Sequence, residues 1–271
     1  MKMKLFLLFL VLFLTHTIHL FGAGSVPYLL NLPTYQTNGS RIFMLDVGHR
    51  YFDVNRHTTN INISLSYGII EPLDVLLGFS FKNKDIVLGT KYNFLNDFDG
   101  NNILSLSLVT GGGFKDTNAI NNSLSLSFAD TEKIKAQSTL PVEDRPSFFT
   151  QVVIQKHFFS NRLFIGLVPS FAYNTNFFGI DSKYDFTFGT GFLAGFYIFD
   201  SVSICSEVTM NIFGFAFKYV NYNAGVKYAG YRHTFTLYIG NSAGYSPVEY
   251  LTGNNTWSPK FSFAFTREFD I

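Results

Sequence analysis

The chain has 271 residues, 20 basic and 19 acidic side chains, and a formal net charge of +1. That balance excludes the basic stripe on which phosphate-backbone binding depends, so nucleic acid is not expected as a partner. Charged residues reach only 14% against 18% aromatics, whereas an ordinary soluble domain carries roughly 25% charge, so water is a poor solvent for this surface.

The first element is not part of a fold. Met1–Lys4 carries two lysines, Leu5–Leu14 is an unbroken apolar run, and the small residues Gly22, Ala23 and Gly24 follow. A charged start, a short apolar run and small residues predict a secretory signal peptide over 1–23, leaving 24–271 as one exported domain. The only cysteine, Cys205, lies far from that junction, which excludes an intrachain disulfide and an N-terminal lipid anchor. Beyond the leader, no apolar run reaches the roughly 18 residues of a helical span.

Period two then dominates. In the second strand Ile61, Ile63, Leu65 and Tyr67 alternate with Asn60, Asn62, Ser64, Ser66 and Gly68. Leu73, Val75, Leu77, Phe79 and Phe81 oppose Asp74, Gly78, Ser80 and Lys82. Ile86, Leu88, Tyr92 and Phe94 oppose Asp85, Gly89, Lys91 and Asn93. The pattern continues to Phe261, Phe263, Phe265 and Phe269 at the C-terminus. A bias toward Phe alone would scatter the aromatics; here they keep one phase of a strand, whose side chains alternate between faces. The other face is Ser, Thr, Asn and Gly with few charges, unlike the Lys- and Glu-rich outside of a soluble sandwich.

This predicts an all-β fold, a transmembrane antiparallel up-and-down β-barrel with apolar residues outward and polar residues inward. Twelve strands are expected, at 41–50, 59–69, 73–82, 84–94, 102–113, 147–158, 161–173, 184–199, 201–212, 219–229, 232–241 and 258–269. Connections after even-numbered strands are mostly short, Leu95–Asn101 being the longest, and the third connection, Asn83, is short on the side where long loops are expected. Those after odd-numbered strands include the long 114–146, 174–183, 213–218 and 242–257, as periplasmic turns and extracellular loops would be. Asn121–Asp130 also alternates and leaves fourteen strands as the alternative.

The segments Gly48-His49-Arg50-Tyr51, Pro72-Leu73-Asp74-Val75, Lys91-Tyr92, Gln151–Ile154, Asn161-Arg162-Leu163, Pro169-Ser170, Arg232–Ser242, Trp257 and Phe263–Phe269 form a set spread along the chain. Together they resemble a family of uncharacterised bacterial outer-membrane β-barrel proteins, a domain of unknown function. The resemblance covers nearly all of 24–271 and implies a barrel in the outer membrane. It implies no substrate, activity or catalytic residue.

Chemistry-bearing motifs are absent: there is no GxxxxGK[ST], HExxH or CxxC, and Gly111-Gly112-Gly113 reads as a tight extracellular bend. His49, His57, His157 and His233 are dispersed over different strands and ends, so no metal or other cofactor is expected. A lipid hydrolase would need a nucleophile beside its base. Nine residues separate His233 from Ser242 on one strand, at about 3.3 Å each, so no catalytic residue is assigned.

The alternation turns Asp46, Arg50, Lys82, Asp85, Lys91, Glu207 and Lys227 inward, and their mixed signs argue against strong ion selectivity. The expected function is passive passage or binding of small polar solutes through a narrow lumen in the outer membrane of a Gram-negative-type envelope. Outer-membrane lipids are the expected partners, and the oligomeric state is left open. The alternatives are a non-conducting structural or surface-exposed barrel, an outer-membrane lipid hydrolase, and a soluble barrel with its phenylalanines turned inward.

Overall fold

A computed structural model describes residues 28–53, 58–81, 84–98, 100, 102–115, 146–176, 183–242 and 244–271. The expected signal peptide 1–23, His57, Lys82, the alternating stretch 121–130 and nearly all of the 114–146 loop lie outside the described residues.

Twelve strands among the described residues form one closed antiparallel barrel. They are β1 (Ile42–Asp53), β2 (Thr58–Ile70), β3 (Leu73–Ser80), β4 (Asp85–Leu95), β5 (Ser105–Lys115) and β6 (Pro146–Phe158). The second half is β7 (Leu163–Tyr173), β8 (Phe186–Phe199), β9 (Val202–Gly214), β10 (Asn221–Gly230), β11 (His233–Gly240) and β12 (Lys260–Asp270). Each strand pairs with its sequence neighbours, and β1 closes on β12 from Ile42↔Asp270 to Arg50↔Ser262. Because β5 pairs directly with β6, no further hairpin enters the sheet and the count is twelve, not fourteen. Closure matters physically: an open sheet would leave an edge of unpaired N–H and C=O groups, which hydrocarbon cannot satisfy.

The alternation sorts the faces. Ile61, Leu77, Leu88, Leu237 and Phe261 are exposed outward, while Asn60, Asn62, Ser66, Asp74 and Ser80 are buried inward. Tyr231, Phe159 and Phe199 crowd the end with the short turns, and Trp257 stands near the other. Both chain ends of the barrel, Ile42 and Asp270, lie at the short-turn end. Gly111–Gly113 are not a bend; they are interior residues of β5, paired with Gly89, Leu88 and Val87. The glycine at 111 is required by packing, since a Cβ there would stand 2.8 Å from the Phe149 ring and 2.4 Å from the Leu88 carbonyl oxygen. No described helix is long and apolar enough to cross a membrane.

Candidate functional site

The lumen is occupied by the protein itself. Residues 28–38, which precede β1, lie inside the barrel, where Leu29, Leu32 and Tyr35 are buried. A bridge between Tyr28 and Pro33 folds this segment back, closed by Leu29 N–H donating to Leu32 O at 2.8 Å. Extended chain away from a sheet leaves backbone groups unpaired, and burying them unpaired is costly. The inward charges supply the partners.

Glu207 on β9 accepts from Asn31 N–H at 2.9 Å and from Leu32 N–H at 2.9 Å, and it also accepts from Asn223 Nδ2 at 2.8 Å. Asp74 on β3 accepts from Asn38 N–H at 3.0 Å, and Asn38 Nδ2 donates to Ser66 Oγ at 2.7 Å. Lys227 on β10 donates to Tyr28 O at 2.7 Å. Ser107 on β5 donates to Tyr35 O at 2.7 Å. Carboxylates thus take the segment's N–H groups, while the ammonium and a hydroxyl take its carbonyls.

The second occupant is the β11–β12 connection, whose short helix α1 (Pro247–Tyr250) turns inward. The sequence reading placed 242–257 outside as a surface loop; instead Val248, Tyr250 and Leu251 are buried within the barrel. Tyr250 OH donates to Gln151 Oε1 at 2.9 Å, and Asn221 Nδ2 donates to Tyr250 O at 2.5 Å. Asn241 is clasped at the base of this loop: its Oδ1 accepts from Tyr222 N–H at 2.8 Å and its Nδ2 donates to Val220 O at 2.8 Å.

Arg50 joins the two occupants. Its Nη1 donates to Ser242 O at 2.9 Å and Gly244 O at 2.5 Å, its Nε donates to Tyr238 OH at 3.2 Å, and its Nη2 bonds Asn31 Oδ1. The guanidinium also lies 3.9 Å from the centre of the Tyr245 ring. A planar fork of five donors can bind several acceptors at once, which a lysine could not do here.

The filling is lopsided. Leu29, Leu32, Val248 and Leu251 pack against Val109, Val153, Val168 and Leu193, all from β5–β8. On β8 a Cβ added to Gly191 would stand 2.6 Å from Leu32 Cδ1, so this glycine makes the recess that the leucine fills. Along the opposite wall Gly48, Ser64, Gly78, Gly89 and Ala264, together with the larger Met44, Leu76 and Val87, border a cavity of about 130 Å³. Asp46, Asp85 and Lys227 also line it.

The seven charges expected in the lumen therefore have distinct situations. Arg50 and Glu207 are consumed by the internal segments, and Lys227 serves one of them while also facing the cavity. Asp46 accepts from Thr266 Oγ1 at 2.7 Å. Asp85 is buried at the rim, where β4 begins. Lys91 is fully buried with its Nζ 5.8 Å from the Tyr28 ring centre, and Lys82 lies outside the described residues. Asp74 faced inward by the same alternation but was not counted among the lumen charges. The apolar inward patch was also missed, although β6 and β7 carry Val153 and Val168 on the face that elsewhere is polar.

At the short-turn end a cluster ties the β4–β5 connection to the ends of β5 and β6. Asp97, in the β4–β5 connection, accepts from Ser105 Oγ at 2.6 Å, His157 N–H at 2.9 Å and His157 Nδ1 at 2.6 Å, with Lys156 Nζ at 3.2 Å. Burial pushes the Asp97 carboxyl up, but the Ser105 hydroxyl and the two His157 donors outweigh it and hold it well below the usual carboxylate range. The His157 ring sits among Tyr35, Phe98 and Phe164. His233 opens β11, its Nδ1 2.8 Å from Tyr231 O and 3.1 Å from Arg267 Nη1, whereas Ser242 follows the far end of that strand and bonds Asn31 and Arg50.

Residues 27–269 match the family model described as the membrane bound beta barrel domain, DUF5777. The chain belongs to that family. This DUF5777 barrel is similar to the NanC porin, at 10% identity over 84% of this chain and 100% of that one, with a TM-score of 0.52. It also aligns with an outer membrane channel from Pseudomonas putida F1, at 12% identity over 89% of this chain and 98% of that one, TM-score 0.48. Outer membrane phospholipase A from Escherichia coli aligns at 9% identity over 90% and 98%, TM-score 0.43. At such identities the likeness to NanC is one of barrel fold. No curated protein matches the sequence.

Proposed function

We propose that this chain is an outer-membrane barrel, exported by way of the signal peptide 1–23, that binds small polar solutes in its lumen and passes them when its internal segments yield. The observation that carries the reading is the lopsided filling. Both occupants press on the apolar β5–β8 side, and an unfilled cavity bordered by small, polar and charged residues remains along β1–β4 and β10–β12. A static plug has no need of such a space. At rest the route is closed, because the occupants hold the bore through hydrogen bonds to charged groups, each worth about 1.5–3 kcal/mol. The outward apolar face is satisfied by membrane lipid, and no catalytic residue is assigned.

The test is single-channel recording in planar bilayers. The wild-type barrel is expected to open rarely. Glu207→Ala removes the acceptor for Asn31 and Leu32 and is expected to raise open probability at least tenfold, since about 1.4 kcal/mol is a tenfold change. The filled bore also favours a second reading, a non-conducting structural barrel. Silence in both the wild type and Glu207→Ala, with both proteins folded, would establish it instead.

A further inference from the structure

The inward charges divide by how their hydrogen-bonding capacity is used, and the division points to a ligand. Arg50 meets four acceptor groups beside its bond to Asn31, counting Tyr238 OH, Ser242 O, Ser242 Oγ and Gly244 O. Glu207 meets three donors, from Asn31, Leu32 and Asn223. Asp46 and Lys227 differ. Both line the cavity, and among the described residues each makes one hydrogen bond, to Thr266 and to Tyr28 O respectively. Neither forms an ion pair among the described residues, with each other or with anything else.

The register keeps the two apart. Asp46 is opposite Thr266 on β12, while Lys227 is opposite Thr236 on β11. Lys227's row runs through Thr236 and Ala264 to Gly48, two residues along β1 from Asp46, so the two residues lie three strands and two residues apart, about 16 Å along the wall at about 4.8 Å per strand and about 3.3 Å per residue. Both side chains line the same cavity without pairing, so a molecule bearing charge at two points can meet both. Two opposite charges in a low-dielectric lumen, each with unused donors or acceptors and not touching, are expensive unless something bridges them. The cavity's volume of about 130 Å³ approaches the roughly 150 Å³ of an engineered cavity that accepts benzene. Met44 and Leu76, both buried, supply an apolar side to the same space, and Tyr245 and Ser246 line it with hydroxyls that have no hydrogen-bond partner among the described residues.

We propose that this cavity binds a small zwitterion of the α-amino-acid type, its ammonium on the Asp46 carboxylate, its carboxylate on Lys227 Nζ, and a short aliphatic side chain against Met44 and Leu76. The inference rests on the lumen-binding reading above and names its ligand class. A cation alone would engage Asp46 and leave the spare donors of Lys227 unused, and an anion alone would do the reverse.

The experiment is calorimetric titration of the folded, detergent-solubilised barrel with three probes of one shape: L-valine, 2-methylpropylamine, which lacks the carboxylate, and 3-methylbutanoate, which lacks the ammonium. Valine is expected to bind at least tenfold more tightly than either analogue. Asp46→Asn is expected to weaken valine at least tenfold and leave 3-methylbutanoate unchanged. Lys227→Met is expected to weaken valine and leave the amine unchanged. Heat-dependent gel mobility of each variant confirms that the barrel is folded. An analogue that binds as tightly as valine, or no heat at millimolar valine, overturns the proposal. If Glu207→Ala conducts but valine does not bind, the ligand class falls and gated passage stands. If valine binds while no variant conducts, the ligand class stands and gated passage falls.

Discussion

Asp97 fastens the β4–β5 connection to the end of β6, meeting Ser105, His157 and Lys156 at one carboxylate whose side chain is fully buried. Its carboxyl ionises at lower pH when folded than when unfolded, where the ordinary value is about 3.9. The resulting stability is complete above that value and is lost as pH falls through the depressed folded value. Asp97→Asn is therefore expected to destabilise the barrel at neutral pH by on the order of 3 kcal/mol, since it strips charge from a buried, hydrogen-bonded group. It should also remove the part of the acid transition below about pH 4. Thermal melts in detergent across the acid range measure both, and an unchanged acid limb would refute the assignment. None of this was legible beforehand. Asp97 sits in a connection without periodicity, and its partner His157 drew notice only as a dispersed histidine. The inward direction of Arg50 and Glu207 was legible from alternation, but their partners were not. Those partners are backbone groups, which carry no sequence signature.

Strands were readable because lipid-facing positions keep a strict phase whatever the inside contains. The internal segments were not, because 28–38 and 241–254 mix Asn, Pro, Tyr and Leu in no regular period. A signal did exist on the opposing surface. Phe149, Val153, Val168 and Leu193 are inward and apolar, so β6–β8 bury apolar groups on a face that a water-filled bore would keep polar. Apolar residues on both faces of a barrel strand imply an occupant. Gly191 marks where that occupant seats. A Cβ there would stand 2.6 Å from Leu32 Cδ1, the end of a flexible side chain, so alanine can be absorbed by a shift of Leu32 while a larger residue cannot. Gly191→Leu is expected to push the N-terminal segment from its recess, increasing its cleavage by added protease at least tenfold while the barrel keeps its folded gel mobility. Equal cleavage of variant and wild type would show that Leu32 does not anchor the segment.

The whole molecule is a hydrocarbon-facing shell around a packed interior, and its low charge follows from that. An outward surface of Leu, Ile and Phe needs no ions, and the interior holds few because each must be bonded. Leu237, 57% exposed and mid-way along β11, tests the shell. Leu237→Lys is expected to cost about 2–4 kcal/mol in a bilayer, read as lowered folding yield into lipid vesicles; an unperturbed yield would place this face outside hydrocarbon. The order of events in building the shell is also constrained. The bond from Asn31 to Glu207 spans 176 residues, and that from Arg50 to Ser242 spans 192. Neither can form until the last third of the chain has been delivered, whereas Asn38 can meet Asp74 on β3 and Tyr35 can meet Ser107 on β5 well before that. The internal segment is therefore fastened first at the end nearest β1, and its far end, at Asn31 and Leu32, is secured only when β9 brings Glu207.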